Sequence, residues 1–325
     1  MNADQRGCKR DFDWACVSWR SSMLFGLFLV LTWWSASATL AVAAPADKLM
    51  LPSDYVKLIP LHVKLSAPRP SDWLAQHAEP GQTFRQYLRN RPVKVDRKRR
   101  TLYIQPLGEF SQTQKKIIDA TTEFMGVYFQ LPVKTREGLS LDLIPPAARR
   151  KPGVFRSEQI LTTYVLYDVL KPRLPRDAVA MIAFTTSDLW PGEGWNYLFG
   201  QAALKDRVGV WSIHRNGDSD AGDEAFLRCL RRTLKTATHE TGHMFSIPHC
   251  TLYECNMNGC NHLAESDRHP LSLCPHCLAK ICYATGADPV VRFQKLILLY
   301  KAHRLKAEQA FCEKSLAALR RKKKR

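Results

Sequence analysis

The stretch His239-Glu240-Thr241-Gly242-His243-Met244-Phe245-Ser246-Ile247-Pro248-His249-Cys250 decides how this chain is read. His239 and His243 stand four residues apart, so on an α-helix their imidazoles lie one turn above the other and can converge on one cation. Glu240 falls on the neighbouring flank, where a carboxylate can reach a metal-bound water without ligating the metal. Pro248 cannot continue a helix, so the chain must turn, and the turn can bring a third imidazole, His249, back towards the first two. Three histidines on zinc leave a fourth position open for water. A histidine pair at this spacing also occurs on ordinary solvated or core-facing helices. Against that plainer reading, Thr236, Thr238 and Gly242 are poor helix formers, retained for something other than local stability.

Cysteines begin directly after the third histidine. Cys250 and Cys255 are followed by Cys274-Pro275-His276-Cys277. Two pairs so spaced can supply four thiolates to a closed tetrahedral site, which is structural and not catalytic. Two disulfides, or one disulfide with two free thiols, remain the alternatives, and the compartment decides between them. Met257 stands between the pairs, in a segment whose Asn258-Gly259 signals a turn.

The string HExxHxxSxxHCxxxxCxM, followed by sixteen residues and CPxC, resembles the archaemetzincin family of zinc metallopeptidases. The likeness extends over roughly residues 55–295, including Ser71-Asp72-Trp73, Thr101-Leu102-Tyr103-Ile104-Gln105, Trp195-Asn196-Tyr197-Leu198 and Asn261-His262-Leu263-Ala264-Glu265. The resemblance implies an α/β (α+β) metzincin-like catalytic domain with a twisted mixed β-sheet, a long active-site helix and a four-cysteine zinc knuckle. It implies two zinc ions per chain: a catalytic one on His239, His243 and His249, and a structural one on Cys250, Cys255, Cys274 and Cys277. Glu240 would be the general base, and Met257 an apolar floor beneath the histidines. A strand at 208–213 would be the antiparallel strand that edges the cleft in such enzymes. The family pattern has glycine where this chain has Ser246. A serine held at positive φ there costs on the order of 1 kcal/mol, so Ser246→Gly is expected to raise stability or zinc affinity.

The remaining sequence bounds these readings. A length of 325 residues and a hydrophobic fraction of 45% suit a globular chain with a sizeable core. The charge of +18 invites thought of nucleic acid, but it is scattered except at residues 94–100 and 320–325. Aromatic residues do not interleave with those runs as stacking platforms would, so nucleic acid is disfavoured as a partner and a peptide or protein substrate is favoured. Basic residues, an apolar run from Leu24 and small residues up to Ala44 follow the order of an export signal, with cleavage near Ala38 or Ala44. Uncleaved, the same 24–44 stretch is long enough to anchor the chain in a membrane. The chain is therefore read as secreted, periplasmic or anchored, or as cytoplasmic if 24–44 is not a functional signal, and as a monomer. The expected organisation is a signal or anchor over 1–44, an irregular wrap over 45–100 held by Trp73, Phe84 and Tyr87, a catalytic domain over 101–300, and a helix with basic tail over 301–325.

Periodicity places strands at 101–105, near Val133 and at 178–184, and helices at 111–129, 157–170, 223–244, 278–283, 289–300 and 302–323. Cys229, Cys260, Cys282 and Cys312 are read as buried small hydrophobes or free thiols. The activity expected is hydrolysis of peptide bonds by water that Glu240 deprotonates, with the choice between endopeptidase and aminopeptidase open. The competing reading is a catalytically weak or inactive zinc-stabilised binding protein.

Overall fold

A computed structural model describes residues 51–152, 157–203 and 205–321. The export or anchor segment expected over 1–44, with Cys8 and Cys16, lies outside the described residues, as does the end of the basic tail. Among the described residues no helix is long and apolar enough to cross a membrane.

The described residues open with three short helices, α1 (Ser53–Val56), α2 (Trp73–Gln76) and α3 (Phe84–Arg89), joined by extended segments. Trp73, Phe84 and Tyr87 are buried, as expected of anchors. Strand β1 (Thr101–Leu107) leads into α4 (Gln112–Phe129). The Ser111 hydroxyl accepts the Gln114 N–H and the Gln114 side chain accepts the Ser111 N–H, a capping box that fixes where α4 begins. The next elements are β2 (Val133–Thr135), β3 (Arg149–Arg150), β4 (Gln159–Leu161), α5 (Thr162–Tyr164), β5 (Ala178–Thr185), β6 (Asp188–Trp190), β7 (Gly200–Ala203) and β8 (Val208–Ser212). The long helix α6 (Asp223–Met244) follows, then α7 (Leu263–Arg268), α8 (Pro275–Thr285), α9 (Pro289–Ala302) and α10 (Lys306–Arg320).

Five strands form the main sheet in the order β2-β1-β5-β8-β7, parallel except for β7, which runs antiparallel to β8. A smaller sheet has the order β3-β4-β6. Every residue of β5 is buried because both faces of the sheet are covered. Ala180, Ile182 and Phe184 face a core shared with α4, α6 and the C-terminal helices, while Met181 and Ala183 alternate towards a second core under Val165, Leu166 and Val169. The class is thus α/β with a mixed sheet and a long helix that carries the histidines.

Two elements differ from the sequence reading. The helix expected over 157–170 begins only at Thr162, because Gln159, Ile160 and Leu161 pair with Asp188, Leu189 and Trp190 as a strand. Beyond Tyr164 it widens into a π-helical stretch, Val165–Leu170. The strand at 208–213 is neither antiparallel to the central strand nor at the sheet edge. It lies parallel to β5 inside the sheet, and the antiparallel edge belongs to β7.

Candidate active site and metal centres

Helix α6 starts after Gly222 with Asp223 and Glu224 in its first turn, where the exposed N–H groups favour negative charge. Its final turns bring His239 and His243 to one face. The helix stops in a Schellman motif: Ser246 N–H donates to His243 O, and Ile247 N–H to Gly242 O. Ser246 takes the left-handed conformation this requires, with φ 64. Its Oγ accepts the Val93 N–H at 3.1 Å, a contact glycine could not make. That bond offsets the backbone cost and revises the gain expected from Ser246→Gly. The turn then delivers His249, and the three imidazole donors lie within 4.8 Å of one another.

Each imidazole is oriented from behind. His239 Nδ1 meets Asn256 O at 2.7 Å, His243 Nδ1 meets Ile247 O at 2.7 Å, and His249 Nδ1 meets the Glu79 carboxylate at 2.8 Å. Carbonyl and carboxylate oxygens only accept, so each Nδ1 carries the hydrogen and each Nε2 lone pair is directed inward. His239 and His243 bring their Nε2 atoms to 3.0 Å, and His249 Nε2 is buried without a partner. Three lone pairs so placed repel one another and suit a cation such as zinc. Burial, reinforced by the neighbouring imidazoles, pushes His239 down to about 3 and His243 well below the usual histidine range, which keeps both neutral as ligands must be.

Glu240 is fully buried, and neither of its carboxylate oxygens has a hydrogen-bond partner. Burial alone pushes it up to about 8. The group lines a cavity of about 610 Å³ together with His243, His249, Ala202 and the 79–90 segment. Beneath the histidines lies Met257, fully buried. A Cβ on Gly242 would sit 2.5 Å from its Sδ, which explains a glycine inside this helix better than propensity can. Thr238 is accounted for as well: its hydroxyl accepts from Asn256 Nδ2 at 2.7 Å, steadying the residue whose carbonyl holds His239.

Cys250, Cys255, Cys274 and Cys277 are all buried free thiols whose sulfurs lie within 4.8 Å of one another. Cys250 and Cys274 Sγ are 3.7 Å apart, far longer than a disulfide bond. Cys255 Sγ accepts the N–H groups of Met257 and Cys274, and Asn258 ties the loop by bonding Cys255 N, Cys250 O and Tyr253 O. Hydrogen bonds from the other three sulfurs hold the Cys250 thiol well below its usual range, whereas burial pushes Cys255 well above it. Cys274 caps α8 and Cys277 sits in its first turn, so the second pair is placed by a helix start. Four thiols in this arrangement could hold a second zinc. Cys229, Cys282 and Cys312 are buried free thiols, and Cys260 is buried as well.

Sequence spacing gave no sign of Glu79, whose oxygen accepts from both His249 Nδ1 and Trp73 Nε1. Trp73, read from the sequence as an anchor of the wrap, and Glu265, in a family-like segment, carry no sign in sequence of their partnership. They meet in space: Trp73 N–H donates to Glu265 Oε1, Asn261 N–H to Glu265 Oε2, and Arg268 pairs with Asp72 at 2.6 Å. Asp72, His262 and Glu265 are close enough to resemble a third metal cluster, but both carboxylates are already occupied by these donors.

Residues 166–282 match the family model described as peptidase family M54. Archaemetzincin-2 of Macaca fascicularis is 33% identical over 264 residues, covering 70% of this chain and 71% of that protein. Archaemetzincin-1 of Homo sapiens is 26% identical over 289 residues, covering 78% of this chain and 57% of that protein. The crystal structure of an archaemetzincin from Methanopyrus kandleri, 27% identical, aligns with 59% of this chain and 99% of that one at a TM-score of 0.47.

Proposed function

The chain belongs to peptidase family M54, the archaemetzincins, and we propose that it hydrolyses peptide bonds with a zinc ion held by His239, His243 and His249. The observation that carries this reading is the buried, unpartnered Glu240 carboxylate beside three inward-facing imidazole lone pairs at the floor of an open cavity. A zinc-stabilised binding protein would have no use for a carboxylate left without partners next to that cavity, since burying such a group is costly. Zinc bound there would supply a Lewis acid for the scissile carbonyl and a water acidified towards a pKa of about 7.

The chain's own residues do the rest. Glu240 takes a proton from the attacking water as its oxygen bonds to the carbonyl carbon, then returns that proton to the amine as the carbon–nitrogen bond breaks. Strand β7 ends the sheet, and its Ala202 lines the cavity. A Cβ on Gly200 would come within 3.3 Å of Glu240 Cγ, so β7 lies against the base, and an extended peptide pairing with its edge would be held near it. The four cysteines would hold a second, structural zinc. The test is turnover of a peptide library by the zinc-loaded protein. Glu240→Gln should keep its metal and lose 10²–10⁴-fold in rate, on the order of what a general base contributes. Wild-type rates in a metal-loaded Glu240→Gln protein would refute the assigned base.

A further inference from the structure

We infer that Glu79 is a positioning residue for the histidine-bound metal, and that through it the N-terminal segment forms part of the metal site. The inference rests on the reading of His239, His243 and His249 as zinc ligands. His239 and His243 are placed by a helix, and the acceptors behind them are main-chain carbonyls. His249 has neither support. It follows Pro248 on non-helical chain, and among the described residues its Nδ1 is held by a carboxylate 170 residues away in sequence.

That carboxylate is itself anchored. Glu79 Oε1 accepts the Trp73 indole N–H at 2.7 Å, and the Trp73 ring stands edge-on to His249 with centroids 5.2 Å apart. Trp73 is fixed by its backbone bond to Glu265 and by Gly259, where a side chain would collide with the indole. Gly81, at φ +66, lets the next part of the segment press against Thr251, two residues beyond His249. The order of support therefore runs from Gly259 and Glu265 to Trp73, then to Glu79, then to His249. A carboxylate behind a ligating histidine does more than orient it. It raises the donor strength of the imidazole and adds negative charge close to a dication, which a carbonyl cannot do.

The experiment uses the full chain with Glu79→Ala, Glu79→Gln, Trp73→Phe and His249→Ala, and reads metal affinity by chelator competition. The absorption spectrum of the cobalt-substituted protein and a thermal melt accompany each variant. Glu79→Ala should weaken metal binding at the histidines by roughly ten- to a hundredfold and change the cobalt bands of that site, with the cysteine site still filled. Glu79→Gln keeps an oxygen that can accept from His249 and should recover part of the loss, and Trp73→Phe should shift affinity less in the same direction. Affinity within twofold of wild type in Glu79→Ala overturns the inference, and so does loss of both metals together with the melt, which would make Glu79 a general strut. If His249→Ala loses metal while Glu79→Ala does not, the inference fails and the ligand assignment stands. If His249→Ala binds metal as wild type does, both fail.

Discussion

The histidine and cysteine clusters are neighbours in sequence and opposites in setting. His243 and His249 open on a cavity of about 610 Å³, and each of the three histidines is steadied by one acceptor from a different part of the chain. The sulfurs are enclosed in the core beside Met257, Leu273 and Leu278, with main-chain N–H groups pointed at Cys255. An ion at the first site can exchange water and substrate, whereas an ion at the second can only hold chain segments together. The difference lies less in ligand type than in what stands behind and before each donor.

The largest expected effect separates the two sites by consequence. Cys255→Ser should abolish cooperative melting, because four thiols sharing a metal contribute folding energy directly, whereas His249→Ala should abolish activity and leave the melt largely intact. Chelator should accordingly remove one metal equivalent without unfolding and the second only with it. Simultaneous loss of both equivalents would erase the distinction.

Acid is expected to act on both sides, through the buried His239 and His243 and, beside the cysteines, through His62. His62 packs its ring against Tyr253 and Phe311, and burial lowers it to about 4 despite an opposing pull from Cys250. The folded state thus favours the neutral ring, so the contribution is complete above the ordinary histidine value of 6.5 and is lost as pH falls towards 4. At about 1.4 kcal/mol per unit the loss amounts to about 3 kcal/mol, and urea titrations of His62→Gln should show a flatter profile over that window.

Smaller still is Gly242→Ala, which forces a methyl group against the Met257 thioether and should cost about 1–3 kcal/mol by overpacking. The strain falls under the histidines, so metal affinity there should drop while the cysteine site keeps its metal. Ser246→Gly sharpens the comparison least. Relief of the left-handed serine and loss of the Val93 hydrogen bond are each on the order of 1 kcal/mol, and denaturation midpoints should barely move.

What the sequence made legible was local. The bounds of α6, the Ser111 cap, the buried run of β5 and the positive φ of Ser246 all follow from neighbours along the chain. What it concealed was pairing at a distance. Residues 157–161 carry apolar positions compatible with helix, yet Ile160 is a strand residue because Leu189 lies beside it. Whether β7 or β8 closes the sheet depends on strand order, which spacing does not encode. Glu79 escaped for the same reason, since a lone carboxylate in a polar segment acquires meaning only when His249 arrives against it.

His249 and Cys250 are consecutive, and the Cys250 N–H is bonded to Met257 O at 2.7 Å. One peptide unit is all that separates the histidine cluster from the sulfur cluster. A displacement of the sulfur cage therefore passes straight to the third imidazole, which Glu79 grips from the other side.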